Sequence, residues 1–402
     1  MPRINPDLMR WAREGAGLDL VEAARKLTLG ARGGADAADR LEAIERGYEH
    51  PTRSLLIRMS RLYRHPLLVF YLPEPPRAAG RGQDFRTLPV EEDQTEEVVL
   101  NVLLRDVMAR QAIIRAAIEE EDEPEPLAFV GSVTTDAGVE PLVERFRATL
   151  RVSLREFRAQ RSADDSFRLL RGRVESSGVF VMFESNLGSH HTTLSVDRFR
   201  GFALADPIAP FIVINDQDSR AAWSFTMLHE LVHIWLGYTG VSGGPPSRAV
   251  EQFCNDVASE FLLPSRELQE FGPAAGSSAA ELADRISEFA TARKVSRTMV
   301  AYRLHRGGYI SAEQWNGLAT TFRRTWLEKR ERAREAARER DERGPGYYTI
   351  RRQRIGDGLL RTTGRLLAAG ALTSTKAGKV LGVKPGHLSE LLMAGGSLRA
   401  AS

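Results

Sequence analysis

The chain has 402 residues, which corresponds to two to four domains of about 100–200 residues each. Hydrophobic residues make up 42% and charged residues 27%, as in a globular protein with a substantial core. The 56 Lys and Arg barely exceed the 53 Asp and Glu, so the net charge of +3 does not mark the whole chain as a nucleic-acid binder. The single cysteine, Cys254, excludes an intramolecular disulfide framework and a zinc ribbon built on several cysteines.

Two further observations concern the cellular location. The longest purely apolar run, Leu67 to Leu72, is far shorter than the ~20 residues needed to span a bilayer. The segment Met1 to Pro6 lacks the apolar core of a secretory signal. We therefore expect a cytoplasmic protein with no membrane partner.

Short helical patterns dominate residues 1–75. Asn5 is a capping residue followed by proline at the first helical position, and Asp19 precedes an acid three residues on, as in a capping box. A run of prolines at residues 73–76 forbids helix and ends this domain. The four predicted helices begin at Pro6, Asp19, Ala35 (after a glycine-rich break) and Pro51.

Residues 76–125 are predicted to hold a linker and helices, with a helical pattern from Glu91 to Glu121. The pattern stays helical to about Leu170 and then changes to short runs of β-branched and aromatic residues. These runs predict strands at Val179–Phe183 and Phe211–Ile214, with one or two more within Thr192–Ala205.

Two long helical patterns follow, Ser219–Leu236 and Ser247–Leu263, separated by a loop rich in glycine and proline. Helical sequence continues to Arg343, and Gly344-Pro345-Gly346 marks a late boundary. The elements together predict an α+β, mainly helical fold with a small sheet. The predicted domains are residues 1–75, 76–125, 126–270, 271–343 and 344–402.

The run from His229 to His233 contains the clearest chemical motif. Two histidines four residues apart lie one turn above each other on a helix, so both imidazoles reach a single ion. Zinc accepts imidazole nitrogen, and a catalytic zinc site uses three protein ligands and one water. Glu230 lies about 100° around the helix from His229, where its carboxylate is placed to take the water's proton. The motif predicts a zinc cofactor, two histidine ligands and Glu230 as the general base.

A third ligand is expected from the helix after the glycine-rich loop. Glu251 flanks the apolar stripe of that helix, and its separation of 18 residues from His233 permits a helix–loop–helix return. Glu260, about 180° around the helix from Glu251, is the weaker candidate. The stripe consists of Val250, Phe253, Val257 and Phe261.

Three neighbours of Glu251 have possible supporting roles. Asn255 or Asp256 would hold the other ring nitrogen of a ligating histidine. Cys254 lies between apolar neighbours and is interpreted as a small buried side chain.

His229-Glu230-x-x-His233, with the upstream strand ending in Asn215 and the downstream Glu251-x-x-Cys254-Asn255, resembles the ImmA/IrrE family of metallo-endopeptidases. The likeness is strong over about Ser177–Pro264 and includes the closing Leu262-Leu263-Pro264. It implies a zincin-like core of the gluzincin type, with His229, His233 and Glu251 as zinc ligands and Glu230 as the general base. Cys254 departs from the family pattern, where small residues such as alanine are usual.

The resemblance also implies a kind of substrate. Some members cut helix-turn-helix repressors, so we expect the protein substrate to be a DNA-binding regulator or an antitoxin. The run Gly201–Leu204 is expected to accept that substrate as an added strand. No motif assigns the group that stabilises the transition state; a packing or salt-bridge role stays open for each candidate. The candidates, which can donate to an oxyanion, are Tyr302, Arg303 and His305.

The N-terminal domain resembles a Xre-type helix-turn-helix, chiefly through Leu20–Leu27 and Ile44–Gly47. Its turn is enlarged by glycines, and its reading helix has four acids beside Arg40 and Arg46, whereas base edges are read by basic or amide side chains. DNA binding and docking of a protein partner both stay open for this domain.

The C-terminal domain contains a second pattern that resembles a helix-turn-helix, Leu372–Leu392. Lys376, Lys379, Lys384 and His387 give it a basic face suited to phosphates. A small helical cap packed on the rest of the protein is the alternative interpretation.

Three functions are compatible with these features. The first is a zinc endopeptidase that cuts an intracellular regulatory protein. The second is a DNA-binding transcription regulator with a vestigial peptidase core, against which the intact His229, Glu230, His233 and Glu251 argue. The third is a stress- or phage-responsive partner of a toxin system, in which cleavage releases an effector.

Overall fold

The computed structural model describes residues 4–31, 36–63, 67–71, 94–121, 124–188, 192–239, 248–272, 278–339 and 346–393. Within these ranges the protein is mainly helical with a three-stranded sheet, which confirms the predicted α+β class. The predicted proline-rich boundary at 73–76, the glycines at 33–34, the loop at 240–246 and the boundary residues 344–345 lie outside the described residues. The chain divides into two compact units, of which the first holds residues up to 78 together with 90–106 and 186–194.

The first unit contains short helices that begin where capping residues place them. Asn5 accepts a hydrogen bond from the backbone N–H of Asp7 at 3.1 Å. The fourth helix begins at Arg53 rather than at the predicted Pro51, because Thr52 caps it by accepting from the N–H of Leu55 at 3.2 Å. The elements are α1 (Pro6–Glu14), α2 (Leu20–Lys26), α3 (Ala37–Glu45), α4 (Arg53–Leu62) and a 3-10 helix (Leu67–Tyr71).

These helices bury a core of their own. Leu41 and Ile44 on α3 and Met59 on α4 have no exposed surface. An ion pair between Arg13 and Glu45, 2.8 Å from Nε to Oε1, lies buried beside that core. The next helix, α5 (Gln94–Glu121), begins in the first unit and continues into the second.

The second unit contains the sheet. β1 (Phe180–Phe183) pairs in parallel with β3 (Phe211–Ile214), and β2 (Gly201–Leu204) pairs antiparallel with β3 on its other side. Both predicted strands are thereby confirmed, and the segment Thr192–Ala205 supplies a single strand. The order β1-β3-β2 makes β2 an outer strand among the three described strands.

Helices enclose this sheet. α9 (Arg220–Leu236) follows β3 and packs against β2, β3, α8 and the following helix, α10 (Arg248–Leu262). Residues 222–235 of α9 are buried on every side of the helix, because packing partners surround it. The preceding helices are α6 (Val139–Leu150), α7 (Leu154–Arg158) and α8 (Ala163–Ser176).

Within the described residues, the chain after Pro264 is mainly helical, as predicted. Ile286, Met299, Val300 and Phe322 from these helices join the core cluster that contains the sheet and α9. None of the helices within the described ranges is long and apolar enough to cross a membrane. The elements are α11 (Ser265–Leu268), a 3-10 helix (Gln269–Phe271), α12 (Ala279–Arg293), α13 (Arg297–Arg306), α14 (Ala312–Glu339), α15 (Tyr347–Ile355), α16 (Asp357–Ala368), α17 (Ser374–Leu381), a 3-10 helix (Pro385–His387) and α18 (Leu388–Met393).

Candidate metal centre

The two histidines of the motif lie in the middle of a buried helix. His229 and His233 are one turn apart on α9 and are 3% and 8% exposed. The apolar residues around them, including Leu228 and Val232, are fully buried. Polar groups in such surroundings need partners. The two imidazoles therefore require a partner that both of them can contact.

That common partner is Glu251 on α10. The Nε2 atoms of His229 and His233 lie 3.1 Å apart. The Glu251 carboxylate is 3.3 Å from Nε2 of His229 through Oε2, and 3.4 Å from Nε2 of His233 through Oε1. Glu251 is 6% exposed, so three buried donor groups converge on one point.

The two imidazole nitrogens and the carboxylate oxygens are spaced as the ligands of a metal ion with tetrahedral coordination would be. Zinc bound to imidazole nitrogen and carboxylate oxygen at about 2.0–2.2 Å places tetrahedral ligand atoms roughly 3.3 Å from each other. The three separations of 3.1 to 3.4 Å match that value. Two nitrogens and one oxygen also leave the fourth position that catalytic zinc sites keep for water or substrate. The three side chains could therefore hold a metal ion.

Glu230 lies on the side of α9 that faces β2. It is 7% exposed, and a Cβ atom added to Gly201 would lie 3.0 Å from its Oε1. The same atom would lie 2.7 Å from Cγ2 of Thr226, one turn earlier on α9. The strand β2 therefore passes against the helix at Glu230, and it does so because residue 201 has no side chain.

Sequence reasoning did not find this role of Gly201. The residue stands first in a strand pattern, where an isolated glycine can mark a close approach of the backbone. No property of the sequence shows which neighbour is approached, because β2 and α9 meet only through the tertiary fold.

Asn215, at the end of β3, holds the segment that leads into β2. Its Nδ2 donates to the backbone oxygen of Phe199 at 3.0 Å and to that of Ser195 at 3.3 Å. Its Oδ1 accepts from the N–H of Gln217 at 2.9 Å. This fully buried side chain thus fixes where β2 begins, and so fixes the position of Gly201 beside Glu230.

The three neighbours of Glu251 on α10, Cys254, Asn255 and Asp256, differ in the groups that they contact. Cys254 is fully buried, as predicted, and its Sγ is 3.8 Å from Nδ1 of His233. Burial raises the pKa of the Cys254 thiol well above its usual value, and the carboxylates of Glu251 and Glu230 add to the rise. Asn255 is 2% exposed, and its Oδ1 has no hydrogen-bond partner among the described residues.

Asp256 points to another helix. Its carboxylate accepts from the hydroxyl of Tyr302 at 2.8 Å and from Nη2 of Arg306 at 2.8 Å, both on α13. Five residues separate it from Glu251, which places it about 140° around α10. The structure therefore brings Asp256 to α13, and no described contact joins it to either histidine.

The three predicted oxyanion donors lie on α13. Burial, and then the nearby Asp256 carboxylate, raise the pKa of the Tyr302 phenol, which therefore stays protonated as a donor. Arg303 forms a buried ion pair with Glu260 and also donates to Oγ of Ser265 at 2.8 Å. His305 is half-buried and stacks on Trp315 with an interplanar angle of 5°. The described contacts thus tie these side chains to α10, α11 and α14.

The comparison with known families concerns this same segment. Residues 174–305, about a third of the chain, match the family model Peptidase_M78, described as the IrrE N-terminal-like domain. The matched segment contains the sheet, both histidines, Glu230 and Glu251, and supports a metallopeptidase of the ImmA/IrrE type with a zincin-like core. Both predicted helix-turn-helix modules lie outside it. No curated protein and no solved structure gives a significant match to the chain.

Proposed function

We propose that the protein is a zinc-dependent endopeptidase of the gluzincin type. The observation that carries the proposal is the convergence of the buried His229, His233 and Glu251 side chains on one point. The match of residues 174–305 to the IrrE N-terminal-like domain supports the peptidase class. The three side chains would hold zinc, which when bound polarises the scissile carbonyl and lowers the pKa of a water to about 7.

Glu230 is the general base in this proposal. Its carboxylate takes one proton from the attacking water while the water oxygen bonds to the scissile carbonyl carbon. The same carboxyl group then delivers the proton to the nitrogen that leaves when the C–N bond breaks. Burial of Glu230 among the helix and strand residues limits its other proton donors and acceptors.

The outer strand β2 is the proposed platform for the substrate. An extended peptide added along the edge of β2 would be held by main-chain hydrogen bonds. Because Gly201 lies against Glu230, such a peptide would pass close to the base. An extended substrate of this kind is a segment of polypeptide rather than a small molecule.

The proposed substrate is an intracellular regulatory protein, such as a repressor or an antitoxin. The family resemblance supports this choice. The first unit, with its helical core, would be a docking site for that partner. A transcription regulator with an inactive core is the competing function, and it requires no cleavage at all.

A kinetic comparison tests the enzymatic proposal. Purified zinc-loaded protein is assayed on a library of internally quenched peptides beside Glu230→Gln and the matched variant Glu313→Gln, whose carboxylate is exposed on α14. We expect Glu230→Gln to lose roughly 10²–10⁴-fold in kcat/KM with its metal retained, and Glu313→Gln to stay within about twofold. Equal activity of both variants would contradict the assignment of Glu230.

A cellular comparison tests the substrate. Protein N-termini are mapped in cells that carry the wild type or Glu230→Gln. We expect a new N-terminus in a regulatory protein in the wild type alone. An unchanged set of N-termini, together with the same transcriptional response in both strains, would favour the non-catalytic regulator.

A further inference from the structure

Charge is distributed unevenly along the chain. Residues 346–393 contain eight Lys or Arg against two Asp or Glu, a net charge of +6 in a chain whose total is +3. Three of the six lysines of the whole chain, Lys376, Lys379 and Lys384, lie within nine residues of this segment. Three arginines of this segment are paired with carboxylates outside it, so the positive field that remains comes chiefly from the lysines.

Two of these lysines lie on α17, and the third lies in the tight turn that leads from α17 towards α18. α17 ends at Gly382, which has a left-handed φ of 63°, and the N–H of Val383 donates to the carbonyl of Gly378 at 2.9 Å. A Cβ atom at Gly378 would lie 2.7 Å from the carbonyl oxygen of Val383, so glycine is required inside the helix. The turn thus folds back closely on α17.

The second helix packs through regularly spaced apolar residues. Leu388 and Leu391 of α18 are buried, as is Leu381 at the end of α17. α17, the turn with its 3-10 helix, and α18, with α16 packed against α17, resemble a helix-turn-helix. In that motif the second helix presents its exposed face to the major groove.

The exposed face of this pair is basic. Lys376 and Lys379 on α17 and Lys384 in the turn are exposed, and none of them forms an ion pair with a residue in the described ranges. The one acid on this face, Glu390, accepts hydrogen bonds from Tyr348 and from Nδ1 of His387. The three ammonium groups are thus available to bind phosphates. The Glu390 carboxylate already accepts hydrogen bonds from neighbouring side chains.

The corresponding helix of the first unit differs. On α3, Arg40 pairs with Glu49 at 2.6 Å, and Arg46 pairs with Glu42 at 2.6 Å. The two arginines of the predicted reading helix are thus paired with acids of the same unit.

Attachment of the C-terminal helices to the core uses other residues. Nη1 of Arg171 on α8 donates to the carbonyl of Gln353 at 2.6 Å, and the N–H of Gly358 donates to Oε2 of Glu175 at 3.1 Å. These contacts involve α15 and the start of α16. The lysines therefore lie outside the two helices that make these attachments.

From these observations, we propose that α17 and α18 bind duplex DNA, with the three lysines on the phosphate backbone and the exposed side of α18 in the major groove. The proposal does not depend on the metal centre. The lysines would supply the affinity, and residues such as Ser389 on α18 would lie at the base edges.

The test measures binding of the full chain to a fluorescent 24-base-pair duplex of mixed sequence over a range of salt concentrations. The first variant is Lys376→Gln/Lys379→Gln/Lys384→Gln. Its matched control changes the other lysines of the chain (Lys26→Gln/Lys294→Gln/Lys329→Gln), so both variants lose three positive charges. We expect the first to weaken binding about tenfold or more and to lower the salt slope by about 2–3, and the control to bind like the wild type.

A second pair of variants separates a specific contact of α18 with DNA from a general effect of added negative charge. Ser389→Glu places a carboxylate on the exposed side of α18, and Ala368→Glu places one at the exposed end of α16. The proposal expects a loss of about tenfold or more for Ser389→Glu alone. Three results would overturn it: no duplex binding at low salt, equal losses in variant and control, or competition by polyglutamate as effective as by duplex DNA, which would identify an acidic protein as the ligand.

Discussion

The two faces of helix α10 hold their buried carboxylates in different ways. Glu251 and Glu260 are nine residues apart, on opposite sides of the helix, and are 6% and 9% exposed. Glu260 faces the guanidinium of Arg303 and the hydroxyl of Ser265, so its charge is neutralised within the chain. Glu251 instead faces the Nε2 atoms of two imidazoles.

This difference distinguishes a structural ion pair from a metal site. A buried carboxylate is costly unless a cation compensates it, and Arg303 does so for Glu260. The Nε2 atoms of the two imidazoles lie 3.1 Å apart. One divalent ion could bind both imidazole nitrogens and the Glu251 carboxylate together.

Replacement of Glu260 should produce the largest loss of stability. Glu260→Gln leaves Arg303 charged and buried, so the free energy of unfolding should fall by about 3–5 kcal/mol. Chemical denaturation of the metal-free protein measures this fall. The double variant Glu260→Leu/Arg303→Met removes both charges and should recover most of it. A loss below about 1 kcal/mol in the single variant would show that the pair is effectively solvated.

Glu230 extends the comparison to α9, the other helix of the candidate metal centre. Gly201→Ala would place a Cβ atom 2.7 Å from Thr226 and 3.0 Å from Glu230, so β2 must move away from α9. We expect a loss of about 1–3 kcal/mol in stability and of at least about tenfold in kcat/KM, with zinc retained. Thr226→Ser in the same chain removes the methyl group and should recover part of the stability. An unchanged kcat/KM in Gly201→Ala would contradict the proposal that β2 binds the substrate.

Tyr302 gives the smallest expected effect. Tyr302→Phe removes one hydrogen bond to the Asp256 carboxylate, which should cost about 1–2 kcal/mol in unfolding free energy. If the hydroxyl is structural, kcat/KM should change by less than about threefold. A fall of about 10²-fold at unchanged stability would instead assign Tyr302 to the transition state.

Local signals in the sequence were sufficient for the class of the fold and for placing the two histidines on one face of a helix. The histidine spacing fixes a shared helix face whatever surrounds it, and the strand patterns at Phe211–Ile214 and Val179–Phe183 are short and strongly β-branched or aromatic. The position of Glu251 depended on the resemblance to a family as well as on its spacing. The structure brings it to both histidines.

The remaining features depend on tertiary contacts. The all-round burial of α9 arises from the sheet and two helices packed on it, which a helical wheel cannot show. The neighbours of Asp256 and Arg303 belong to helices about 40 residues away in sequence, so their pairing could not be read from motifs. The close approach of Gly201 to Glu230 is of the same kind.

The metal content of the purified protein shows whether His229, His233 and Glu251 bind zinc. Elemental analysis is made after dialysis against zinc, on the wild type, Glu251→Gln and Glu260→Gln, which carry the same substitution on opposite faces of α10. We expect one zinc per chain in the wild type and in Glu260→Gln, and none or a small fraction in Glu251→Gln. Zinc-free wild-type protein, or equal zinc in both variants, would contradict it.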